Sequence, residues 1–89
     1  MPDLDEILID RAKLYGDFTG NAALTQALKQ LIHHRATSRK LWLEPFQKEA
    51  LDMICHKIGR IINGDPNYTD SWDDIAGYAT LVANRLRKP

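Results

Sequence analysis

Three consecutive stretches decide the fold: Pro45-Phe46-Gln47-Lys48-Glu49-Ala50-Leu51-Asp52-Met53-Ile54-Cys55-His56-Lys57-Ile58-Gly59-Arg60-Ile61-Ile62, then Asn63-Gly64-Asp65-Pro66-Asn67-Tyr68-Thr69, then Asp70-Ser71-Trp72-Asp73-Asp74-Ile75-Ala76-Gly77-Tyr78-Ala79. In the first, Phe46, Ala50, Ile54, Ile58 and Ile61 recur every three or four residues. At about 100° per residue, Glu49, Asp52, His56 and Arg60 fall on the other side, which is the period of an amphipathic helix. Pro45 suits a first helical position, and Asn63-Gly64 is expected to close the helix as a left-handed pair. In the third stretch and beyond it, Trp72, Ile75, Ala76, Ala79, Val82, Ala83 and Leu86 form a second apolar stripe. Asp70 is expected as its N-cap, reinforced by Asp73, with Arg85, Arg87 and Lys88 at the negative end of the dipole. The loop between these helices is short, so they form an antiparallel hairpin. Trp72, Ile75, Ala79, Val82 and Leu86 are expected to bury against Ile54, Ile58 and Ile61.

Upstream, Asp3 and Glu6 have capping-box spacing, Leu4, Ile7, Leu8 and Tyr15 repeat at helical intervals, and Gly16 is the stop. A second helix is predicted from about Thr19 to Arg35, with Leu24, Ala27, Leu28, Leu31 and Ile32 on one face. Ala36-Thr37-Ser38-Arg39-Lys40 lacks such a period and reads as a basic loop. No segment reads as a strand. The expectation is an all-α chain, a small bundle of about four helices in a single helical domain over 1–89. A core this small is marginal alone, so a homodimer is expected.

Twelve Lys and Arg balance twelve Asp and Glu, which argues against non-specific nucleic-acid binding. The single cysteine, Cys55, cannot form an internal disulfide and sits in an apolar run, where it reads as a small buried hydrophobe. No stretch approaches a membrane span of roughly 18 apolar residues. The acidic start Met1-Pro2-Asp3-Leu4-Asp5-Glu6 is unlike a signal peptide. A soluble, cytoplasmic protein is expected.

Polar residues gather at three places: Tyr15 and Asp17 after the first helix; Lys57, Arg60, Asn63, Asp65 and Asn67 at the end of the third; Asp70, Asp73 and Asp74 at the start of the fourth. The hairpin puts the last two groups at one end of the bundle, and a first helix parallel to the third adds Tyr15 and Asp17. One reading is a ligand- or partner-binding pocket, with Lys57 and Arg60 for an anion and an aromatic for a ring. The other is scaffolding, with Asp70 a cap and Arg60 paired to Asp65. His33 and His34 diverge by about 100° on a helix and cannot share a metal.

Glu49 and Asp52, then Asp70 and Asp73, are each three apart. This spacing resembles that of MazG-like all-α nucleoside triphosphate pyrophosphohydrolases, over roughly Glu49 to Leu86, although Asp52 and Asp70 stand where that family has glutamate. The resemblance implies a site in which these four carboxylates hold magnesium, which polarises the triphosphate and activates water.

Arg11-Ala12-Lys13, Tyr15-Gly16-Asp17-Phe18, Lys57-Ile58-Gly59-Arg60-Ile61, Asn63-Gly64-Asp65-Pro66-Asn67-Tyr68 and Asp70-Ser71-Trp72-Asp73-Asp74-Ile75-Ala76-Gly77-Tyr78-Ala79 together resemble a family of small, uncharacterised phage and prophage proteins. That resemblance implies a phage-encoded accessory protein in the cytoplasm of an infected bacterium. Two function classes follow. The favoured one is a non-catalytic, cofactor-free binder of a host or defence protein or of a nucleotide-type ligand. The alternative is a magnesium-dependent nucleoside triphosphate pyrophosphohydrolase.

Overall fold

The computed structural model describes residues 3–88, which form four helices: α1 (Leu4–Tyr15), α2 (Phe18–Ser38), α3 (Pro45–Asn63) and α4 (Thr69–Arg87). No strand occurs among the described residues. The expected all-α bundle is therefore observed; Met1, Pro2 and Pro89 of the expected 1–89 domain lie outside the described residues.

Local chemistry accounts for most helix ends. The Asp3 carboxylate accepts from the Glu6 amide at 2.9 Å and starts α1, and Asp17 does the same for Gly20 at the start of α2. Pro45 opens α3, where Gln47 reaches back to the Glu44 amide. Three expectations are corrected. Ala36, Thr37 and Ser38 are helical and not loop. The helix then closes through the Leu41 amide to the Ala36 carbonyl, with Lys40 left-handed at φ 53°. A lysine in that role gives no sequence signal, because glycine or asparagine is the usual occupant. Gly64 is not left-handed, having φ −115°. Asp70 is not the cap of α4: Tyr68 holds that position without a side-chain bond, which places Asp70 inside the first turn and Asp73 beyond the capping position expected for it.

The central element is α3, flanked by α2 and α4, with α1 laid across one side of this layer near the end of α3. Lys57 opposite Asp74 and Phe46 opposite Arg85 fix the α3–α4 pair as the expected antiparallel hairpin. On the other flank the bare Cα of Gly59 meets α2; a Cβ there would stand 2.8 Å from Thr25 Oγ1. At one end, α1 clamps the α3–α4 loop through the Asp65 amide bonded to the Leu14 carbonyl at 3.0 Å. Two glycines permit this. Gly16 takes φ +84°, and a Cβ on Gly64 would collide with the Leu14 and Tyr15 backbone.

Ala50, Cys55 and Ile61 are buried, together with Asn21, Thr25, Lys57 and Ser71. The expected α3–α4 core is only partly formed. Ile54, Ile58, Ile75 and Val82 are half-buried, but Trp72, Ala79 and Leu86 are exposed. On α2, Ala27, Leu31 and Ile32 are likewise exposed. One layer of helices buries the sides on which they touch each other and leaves the rest of each stripe uncovered.

Candidate functional site

Tyr15, the last residue of α1, organises the polar end. Its hydroxyl donates to Asp70 Oδ2 at 3.0 Å, its ring meets Tyr68 edge-on at 5.8 Å, and the guanidiniums of Arg60 and Arg11 stand 4.7 and 5.2 Å from its centroid. The bond to Asp70, and after it the Tyr68 hydroxyl, push the Tyr15 pKa up to about 12, so the phenol remains a donor across the physiological range. The Tyr15 and Gly16 carbonyls accept from Asn21 Nδ2 at 2.7 and 3.4 Å, tying α1 to α2.

Beside this cluster α1, α2 and α3 enclose a groove of about 700 Å³. Arg11, Lys29 and Arg60 line it against a single carboxylate, Asp17, which is engaged in capping α2. No ion pair engages those three cations among the described residues. Deep in the wall, Asn21 is 9% exposed and Thr25 is 4% exposed, and both Asn21 Oδ1 and Thr25 Oγ1 lack a hydrogen-bond partner. Buried polar atoms are nearly always satisfied. His56 also faces the groove; burial first, then Arg60, Lys57 and Lys29, lower its pKa, favouring the neutral imidazole. Leu8 and Phe18, both exposed, add apolar surface.

Of the residues expected at the site, the structure joins Tyr15, Arg60 and Asp70, with Asp17 on the groove's edge. Lys57 and Asp74 are elsewhere, paired at 2.9 Å between α3 and α4. Asn63 donates to the Gly59 carbonyl, and Asp65 accepts from the Asn67 amide, so these three serve their own turn. Glu49, Asp52, Asp70 and Asp73 do not assemble: no group of three or more His, Cys, Asp or Glu able to hold a metal occurs among the described residues. Their helical spacing is compatible with a shared face, but Asp70 is turned to Tyr15. These residues therefore do not fit a magnesium centre within one chain.

Arg11, Asn21, Thr25, Lys29 and His56 were not expected at the site. The only trace of Asn21 and Thr25 in the sequence is their i, i+4 spacing, and nothing there says which face of α2 meets α1. Cys55 is buried as expected; burial, and then Asp52, push its thiol pKa up.

The model of the DUF6378 family, a domain of unknown function, matches residues 4–86, and the chain belongs to that family. No curated protein and no solved structure matches it.

Proposed function

For this member of the DUF6378 family we propose a non-catalytic binding role, with the groove between α1, α2 and α3 taking a nucleotide-type ligand. The supporting observation is the groove's lining, three cations against one committed carboxylate beside two buried, unpartnered polar oxygens. Arg11 and Arg60 would take the phosphate as charge-assisted donors. Leu8 and Phe18 would cover the ring, and Asn21 Oδ1, unpartnered in the wall, would accept from a donor on the base edge. The likeness to phage and prophage proteins fits an accessory factor acting in the host cytoplasm, where such a ligand is plentiful. No helix among the described residues is long and apolar enough to cross a membrane.

Calorimetric titration of the pure protein with nucleoside mono-, di- and triphosphates, with and without magnesium, tests this. Saturable binding is expected, weakened about tenfold or more by Arg60→Ala, the loss of one charge-assisted contact. Absence of binding by every nucleotide, or binding indifferent to Arg60→Ala, refutes the site. Release of pyrophosphate from a triphosphate in the presence of magnesium would assign the pyrophosphohydrolase activity instead.

A further inference from the structure

We propose that two copies of this chain pair through the apolar face of the α2–α3–α4 layer, each supplying the second layer that the other lacks. The first ground is area. The chain exposes 6822 Å², whereas a compact monomer of its mass exposes about 5,300 Å². Its radius of gyration is 15.4 Å, against about 12 Å for a compact domain of this length. The excess, about 1,500 Å² per chain, makes about 3,000 Å² for a pair, within the range of obligate homodimers.

The second ground is that part of this exposed surface gathers on one face. Arg60 of α3, Lys29 of α2 and Asp70 of α4 mark the side of the layer that carries α1. At 100° per residue the opposite side of α3 carries Ile54, Ile58 and Ile62. The same construction puts Leu24, Ala27 and Leu31, and at its edge Arg35, on that side of α2, and Trp72 and Leu86 on that side of α4. Leu31 is 69%, Ile62 66% and Leu86 60% exposed. Large apolar side chains this exposed and gathered on one side of a layer mark an interaction face.

The third ground is charge. Arg35 of α2 and Lys48 of α3 fall at the edges of this face, and its centre is uncharged, although the chain holds twelve acids and twelve Lys and Arg. An uncharged centre meets its own copy across a twofold axis without like-charge repulsion, and charges at the edges can stay in water. The nucleotide groove lies on the opposite side and stays open in such a pair.

Sedimentation equilibrium tests the proposal. The intact chain is expected at about twice its 10.2 kDa mass. Leu31→Glu and Leu86→Glu, at exposed positions of this face, should lower the mass to one chain while circular dichroism keeps its helical signal. Leu81→Glu, at a 67% exposed position on the α1 side, should leave the dimer intact. A monomeric intact chain at every accessible concentration overturns the proposal and leaves the face to a different partner. A dimer that persists in both Leu31→Glu and Leu86→Glu overturns it by placing the interface elsewhere. If both variants unfold, cross-linked intact chain analysed by mass spectrometry decides: α2–α4 links between copies support the face, and α1–α1 links reject it.

Discussion

Asp74→Asn separates scaffold from site most directly. Lys57 is 8% exposed, and its ammonium lies 2.9 Å from Asp74 Oδ2. The side chains are 11% and 41% exposed, so the pair is buried at the lysine and partly wet at the aspartate. At this distance and an effective dielectric of 20, the attraction is about 6 kcal/mol before desolvation is charged against it. Removing one partner of a fully buried pair costs about 3–5 kcal/mol, and an exposed pair is worth about 0–1 kcal/mol. With water reaching Asp74, we expect Asp74→Asn to cost about 2 kcal/mol, because it strands a buried ammonium. The urea midpoint should fall by about 1–2 M. Lys57→Met combined with Asp74→Asn should recover most of the loss, since a neutral side chain of similar volume removes the uncompensated charge. A cost under about 0.5 kcal/mol, or a double variant as unstable as Asp74→Asn alone, would refute the view that this pair is structural. Nucleotide affinity of the folded Asp74→Asn protein should be unchanged, because neither partner lines the groove.

Two further outcomes follow from the geometry. His56 has its pKa lowered by burial and by Arg60, Lys57 and Lys29. The folded chain therefore binds fewer protons than the unfolded chain as pH falls through the ordinary histidine range, so this group's stabilising contribution is lost with acidification below about 6.5. In proton NMR, His56 should titrate below the usual value and move upward in Arg60→Ala; a normal, unmoved titration would contradict this. Gly77 and Gly64 should respond oppositely to alanine. A Cβ at Gly77 meets nothing within 4 Å, so thermal unfolding should show a gain of about 0.5–1 kcal/mol, the helix-propensity difference. Gly64→Ala forces a Cβ into the Leu14 and Tyr15 backbone and should lower the melting temperature; a neutral result would mean that the α1 clamp is loose.

The helices were legible in the sequence because amphipathic period and capping chemistry are local: Asp3, Pro45 and the stripes of α3 and α4 place them within a turn. The short Gly64–Tyr68 connection also made the hairpin legible, and with it the approach of Tyr15 to Asp70. Where a polar side chain finds its partner is not local. Asp70 looked like a cap because only its own helix start was visible, whereas Tyr15, 55 residues away, holds its carboxylate. Lys57 and Arg60, three residues apart, looked like one cationic group, yet packing sends Lys57 to Asp74 and Arg60 to Tyr15. Asn21 and Thr25 acquire meaning only once α1 and α3 wall the groove around them. Apolar spacing by itself determined that each helix has a face to hide. Only the tertiary structure decided which face is hidden, because a single layer of helices covers the sides where neighbours touch and leaves the remaining stripe without a partner in its own chain.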